Sequence, residues 1–197
     1  VACISKVPFG DCGYKNWHNI EDSRHIFVKI KNTTIHNFYV PAGGDIPDTK
    51  LNSKFLHKIS FLREMKYWLK DKPSNRSEVI LGDFNIAPLT DDVWSHRKLL
   101  NVVSHTPQET ELLLDVLHSG SFEDLTRQFF PIPEKVFSWW SYRSKDWRQS
   151  DKGRRLDHIW ATSNLSKRVS KVNVLKDARG WDKPSDHVPI LVEIELV

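Results

Sequence analysis

The chain has 197 residues, 39% hydrophobic and 27% charged, which is enough for one domain with a real core and ordinary for a soluble one. No apolar run approaches the roughly 20 residues a membrane helix needs, and no N-terminal segment has the charged, apolar, small-residue order of a signal peptide. Lysine and arginine (29) exceed aspartate and glutamate (25) for a formal net charge of +4, which permits a polyanionic partner without demanding one. The two cysteines, Cys3 and Cys12, match no zinc or redox spacing and are expected as reduced thiols in a cytoplasmic protein.

In chain order, Val1 to Ser5 reads as a buried strand with no lead-in. Arg24 to Lys31 alternates, with Ile26, Val28 and Ile30 on one face. Asn32-Thr33 marks a turn, and Thr34 to Val40 completes a hairpin. Pro41 breaks the ladder, and Gly43-Gly44 with Pro47 marks an irregular loop. Phe55, Ile59, Leu62, Met65 and Leu69 recur at helical spacing, so an amphipathic helix spans about 52–69, capped by Asn52 or Ser53. Val79-Ile80-Leu81 is a short apolar strand. Leu112, Leu113, Val116 and Leu117 indicate a second helix that ends near Gly120. Residues 137–142, 156–161, 171–176 and 188–196 read as further strands. Strands and helices that do not alternate strictly predict an α+β fold, with two packed sheets and helices outside.

Four constellations carry chemistry. Gly82-Asp83-Phe84-Asn85 follows the apolar strand, and a strand end mounts a carboxylate and an amide rigidly. Asp83 can orient or deprotonate a water, and Asn85 can donate to a phosphate oxygen; an Asx turn would use the same residues. In Ser185-Asp186-His187 an acid adjoins an imidazole, raising its basicity and setting its tautomer. Asp157 interrupts an apolar strand, where a carboxylate must be paired, either with a catalytic histidine or in a structural bond. Tyr39 ends its strand with a hydroxyl that could meet a phosphate, although most lone tyrosines are packing residues. Basic Lys145, Arg148, Lys152, Arg154 and Arg155 also interleave with Trp139, Trp140, Tyr142 and Trp147, a pattern suited to phosphates and bases together or to a solvated loop over core aromatics.

The order of these features resembles the endonuclease/exonuclease/phosphatase superfamily, and within it the exodeoxyribonuclease III branch. Its carriers are Tyr39-Val40-Pro41-Ala42-Gly43-Gly44-Asp45, Leu81-Gly82-Asp83-Phe84-Asn85-Ile86-Ala87-Pro88, Phe137-Ser138-Trp139-Trp140-Ser141-Tyr142-Arg143, Gly153-Arg154-Arg155-Leu156-Asp157-His158 and Lys183-Pro184-Ser185-Asp186-His187-Val188-Pro189. The resemblance spans almost the whole chain and is to the bacterial enzymes. It implies one domain over 1–197, a mostly antiparallel two-sheet sandwich flanked by helices. The implied activity is a divalent-metal-dependent DNA repair phosphodiesterase acting as abasic-site endonuclease, 3′ exonuclease and 3′ phosphatase. Double-stranded DNA would be its partner, and the protein a cytoplasmic monomer.

By the same resemblance, Asp83 would position or deprotonate the attacking water and Asn85 would stabilise the transition state. His187 would contact the scissile phosphate, Asp157 would orient His187, and Tyr39 would touch the phosphate. Asp83, Asn85, Asp186 and His187 would be ligands of Mg²⁺ or Mn²⁺. Trp139, Trp140, Tyr142, Arg143, Lys145, Trp147 and Arg154 would face DNA; Arg154 departs from relatives with an apolar pocket residue there. The family's first strands, with an asparagine and then a Gln-Glu pair whose glutamate is the principal ligand, have no counterpart upstream of Val1. Glu21 lacks the preceding Gln, so the domain is expected to be N-terminally incomplete. Two other readings use the same motifs: a phosphoinositide or sphingolipid phosphodiesterase, and a DNA-binding remnant without catalysis.

Overall fold

A computed structural model describes residues 1–73 and 75–196. Its strands are β1 (Asp11–Gly13), β2 (His25–Ile30), β3 (Thr33–Tyr39), β4 (Glu78–Asp83), β5 (Phe122–Asp124), β6 (Trp139–Trp140), β7 (Gly153–Arg154), β8 (Asp157–Thr162), β9 (Val169–Val174) and β10 (Ile190–Ile194). The helices are α1 (Ser53–Lys70), α2 (His96–Leu99), α3 (Pro107–Ser119), α4 (Leu125–Phe129), α5 (Trp147–Ser150) and α6 (Ser163–Ser166). Six strands form one sheet in the order β1-β2-β3-β4-β8-β5, antiparallel except for the parallel β3–β4 pair. β9 and β10 form a second, two-stranded antiparallel sheet.

The period-two alternation of the central strands sorts their side chains onto two faces. Phe38, Ile80 and Trp160 point one way and pack against Phe61, Leu62, Met65 and Leu69 of α1 and Leu113 and Val116 of α3. Ile35, Val79, Leu81 and Ile159 point the other way and meet Val172 of β9 and Ile190, Val192 and Ile194 of β10. The arrangement is therefore α+β, with two sheets face to face and the long helices outside, as expected. α1 begins where Asn52 accepts a hydrogen bond from the Lys54 amide at 3.0 Å. The same side chain donates to the carbonyls of Gly43 (2.8 Å) and Ile46 (2.7 Å), so the cap also ties down the glycine loop.

Two expectations fail. Val1 to Ser5 is not a strand: Ile4 is 98% exposed, and the segment is held by bonds from the Val1 amine to the Ser23 carbonyl and from Asn37 to the Ala2 carbonyl. An apolar run needs a neighbouring ladder to become a strand, and none among the described residues lies along it. The strand expected over 137–142 shrinks to β6. Trp139 and Trp140 pair with Arg154 and Gly153, but the amide of Trp140 goes to the Asp186 carbonyl at 2.9 Å.

Candidate active site

Asp83 is the last residue of β4 and Asp157 the first of the antiparallel β8, and the two lie opposite each other in register. Tyr39, the last residue of β3, faces Asp83 across the parallel pair. All three therefore sit at one end of the large sheet, on the face turned toward the second sheet. His187 arrives from the loop before β10. Its Nδ1 lies 2.8 Å from Asp157 Oδ2, and its Nε2 lies 3.9 Å from Asp83 Oδ2. Ligand atoms of Asp83, Asp157 and His187 all fall within 4.8 Å of one another.

The turn after β4 is built to deliver this carboxylate. Gly82 has φ +132, and a Cβ there would stand 2.0 Å from the Phe38 carbonyl, so only glycine permits the strands to run this close. Asn85 adopts the left-handed region at φ 54, which asparagine tolerates better than most residues. Its amide N–H donates to Asp83 Oδ1 at 2.8 Å, and its side-chain Nδ2 donates to the Val40 carbonyl (2.9 Å) and Asp83 Oδ2 (3.2 Å). Asn85 therefore fixes the carboxylate, and the longer of its side-chain bonds is the one an incoming oxygen could displace.

The charges are coupled. Burial, and then the Asp157 carboxylate, push the Asp83 carboxyl up to about 6, against the pull of His187, the Asn85 amide and Lys58. Burial opposes charge on His187, but the hydrogen bond and charge of Asp157, with Asp83 and Asp186, override it and push the imidazole up to about 9. At neutral pH and without a cation, the cluster holds an imidazolium facing an ionised Asp83.

Asp186 lies outside this cluster. Its Oδ2 accepts the Trp139 indole N–H at 2.9 Å, so the carboxylate binds its own support rather than joining the other three. Asp157, expected to orient His187, hydrogen-bonds its Nδ1 at 2.8 Å and also lies inside the cluster.

Two buried residues hold the cluster in place, and neither was singled out from the sequence. Ser138 is fully buried; its Oγ accepts the amides of Leu156 and Asp157, each at 3.0 Å, and its carbonyl accepts the amide of Val188 at 2.8 Å. One residue thus ties the backbone of Asp157 to that beside His187. Lys58 of α1 is fully buried, and its Nζ donates to the carbonyls of Asn85 (2.9 Å) and Ala42 (3.2 Å) and to the Glu109 carboxylate. The signal for Lys58 was its place beside the apolar stripe of α1, between Phe55 and Leu62; Ser138 gave none beyond its motif.

Residues 9–187 match the model of the Endonuclease/Exonuclease/phosphatase family. The chain belongs to this family. It is 31% identical over 169 residues to exodeoxyribonuclease III of Haemophilus influenzae, covering 82% of this chain and 61% of that protein. It is 22% identical over 176 residues to the exodeoxyribonuclease of Bacillus subtilis, covering 89% and 66%. The chain thus spans just under two thirds of these relatives. Among solved structures, an AP endonuclease from Archaeoglobus fulgidus superposes with a TM-score of 0.86 at 26% identity, over 96% of this chain and 72% of the other. A Neisseria 3′ phosphatase, NExo, bound to a product DNA hairpin shares the fold with a TM-score of 0.87 at 23% identity, over 98% and 73%. The proteins it resembles are thus exodeoxyribonucleases, an AP endonuclease and a 3′ phosphatase.

Beside the Asp83–Asp157–His187 cluster lies a cleft of about 570 Å³, lined by Asn85, Asp45, Trp94, Trp139, Arg143, Lys152 and Arg154 among others. Of the residues expected to face DNA, Trp139, Arg143 and Arg154 line it. Lys145 and Tyr142 are exposed nearby, and the Tyr142 hydroxyl donates to the Pro184 carbonyl at 2.8 Å. Trp140 requires correction: it is 1% exposed, packed on Phe137, and its indole donates to Asp151 at 2.9 Å. It is a core residue because the loop of α5, with a half-buried Trp147 edge-on at 5.4 Å, folds over it. Tyr39 is 40% exposed, with the Arg24 guanidinium 5.0 Å above its ring.

Proposed function

We propose that this chain carries the catalytic end of a divalent-metal-dependent DNA phosphodiester hydrolase that acts on duplex DNA at abasic sites or 3′ ends, as a monomer in the cytoplasm. The observation that carries the reading is the convergence of Asp83, Asp157 and His187, whose ligand atoms lie within 4.8 Å of one another. That donor set suits a hard cation: two carboxylates close enough to raise the Asp83 pKa are relieved by positive charge between them. Asp83 and Asp157, with His187 beside them, would hold Mg²⁺ or Mn²⁺, which when bound neutralises phosphate charge and lowers the pKa of water.

The chain's own residues supply the rest. Asp157 accepts the Nδ1 proton of His187, which leaves Nε2–H to donate to a phosphate oxygen. Asp83, ionised above about pH 6, takes a proton from or orients a water; Asn85 keeps its carboxylate from rotating. Tyr39, opposite Asp83 and partly exposed, presents its hydroxyl at the same sheet end.

The test is cleavage of three labelled duplexes, with an abasic site, a recessed 3′ end and a 3′-phosphate, each in Mg²⁺ and in EDTA. Metal-dependent cutting of any of them supports the reading. Binding of all three without metal-dependent cutting would leave a DNA-binding remnant, and turnover of an inositol phosphate instead would move the chain to another branch.

A further inference from the structure

Consecutive arginines on β7 and after it have opposite environments. Arg155 is buried and fully neutralised: Nε and Nη2 donate to Asp92 at 2.6 and 3.0 Å, and Nη1 donates to Asp124 at 2.7 Å. Arg154 has no carboxylate within ion-pair distance among the described residues. Glu109, which attracts it from further off, is committed to Lys58. An arginine that served only the fold would be paired as Arg155 is, because an uncompensated, partly desolvated cation destabilises a structure.

Arg154 is nonetheless held firmly. Nη1 donates to Ser104 Oγ at 2.7 Å and to the Val103 carbonyl at 3.4 Å, and the guanidinium lies 5.3 Å from the Trp139 ring centroid. Nη2 makes no hydrogen bond among the described residues. The guanidinium is therefore oriented in advance, with Nη2 free of a protein acceptor among the described residues and no counter-ion at ion-pair distance. It lines the same cleft as Asn85, together with Arg143 and Lys152, and Asp45 is the one acid among those lining residues. A cleft of about 570 Å³ is pocket-sized, far larger than one phosphate requires.

We propose that Arg154 binds a second, non-scissile phosphate next to the one at the Asp83–Asp157–His187 cluster, so that the cleft is specific for a polynucleotide strand rather than for an isolated phosphate ester or a neutral sugar. The proposal rests on the nuclease reading above and adds a strand-recognition residue to it. An anion on Nη2 compensates the charge that the fold leaves bare, and the bonds to Ser104 and Val103 mean that little side-chain freedom is lost on binding.

The test is equilibrium binding in EDTA, where nothing is cut, to a fluorescent duplex carrying a tetrahydrofuran abasic analogue. In two further duplexes the linkage on one or the other side of the scissile phosphate is a neutral methylphosphonate. Wild type is expected to bind one of the two about tenfold more weakly, and Arg154→Met to lose that discrimination while its salt-dependence slope falls by about 0.9. Arg154→Gln, polar but uncharged and too short to present a guanidinium to the cleft, is the second variant should the methionine protein melt early; it too should be indifferent to the substitution. A methylphosphonate penalty that persists undiminished in the variants, or that is absent from wild type, overturns the proposal while leaving the nuclease reading intact. Failure of wild type to bind any duplex overturns both.

Discussion

The Lys58 ammonium, buried inside α1, donates to the backbone carbonyl of Asn85 at 2.9 Å. It also donates to Ala42 and Glu109, so all three of its hydrogens are used, and the loops after β3 and β4 are pinned to one charge. Burial pulls the lysine's pKa down, and Glu109 offsets only part of that shift. Lys58→Met should strand Glu109 as a lone buried anion and cost about 3–5 kcal/mol. Thermal melting should show a large loss for the single variant and partial recovery for Lys58→Met combined with Glu109→Gln.

Asp83 should be a residue that weakens the metal-free fold. Its carboxyl sits at about 6 in the folded protein against an ordinary 3.8. The folded state therefore prefers the protonated form: nothing is lost below the ordinary value, and stability falls as pH rises through about 6. Asp83→Asn removes that loss. In EDTA at pH 7.5 it is expected to melt higher than wild type by about 1–3 kcal/mol, at roughly 1.4 kcal/mol per pH unit of displacement, while cleavage in Mg²⁺ disappears. An unchanged or lower melting point would contradict the assigned burial and repulsion.

His187 carries the opposite sign. Raised from 6.5 to about 9, its protonated form stabilises the fold. That contribution is complete below about pH 6.5 and is lost as pH rises through about 9. Proton NMR of the imidazole in the metal-free protein should titrate near 9, and in Asp157→Asn the midpoint should fall by more than one unit because the main stabilising hydrogen bond is gone. A midpoint unmoved by that substitution would mean the 2.8 Å contact is not what charges the ring.

Ser138→Ala deletes the acceptor for two buried amides, those of Leu156 and Asp157. The expected cost is about 1–3 kcal/mol. Turnover should fall more than the melting point suggests, since the lost bonds aim Asp157 at His187; chemical denaturation and kcat measured on the same preparation separate the two effects.

Much of the fold and site was legible because the determinants are local. The apolar stripe of α1, the alternation in β2 and β3 and the short apolar β4 each state their partner face. Gly82-Asp83-Phe84-Asn85 announces a tight turn bearing an acid. The convergence of Asp157 with His187 was readable only through resemblance, since no local rule brings residues thirty apart into contact. What escaped was set by tertiary burial. Trp140 and Trp139 are adjacent and chemically identical, yet one lies in the core and the other lines the cleft, because strand alternation sends neighbours to opposite sides. Lys58 and Glu109 drew no expectation from the sequence, because a helical pattern alone does not show that two loops will close over a lysine beside the apolar stripe.

The close approach at Gly82 has a consequence for how this protein can change. Its α-carbon lies where the one parallel seam of the large sheet meets the Asp83 turn, with no space for even a methyl group. A mutation there would have to part β3 from β4 and swing Asp83 away in the same movement. Architecture and chemistry share a single point of failure, so variation that tunes the activity has to enter from the loops, through residues such as Arg154, and not from the sheet.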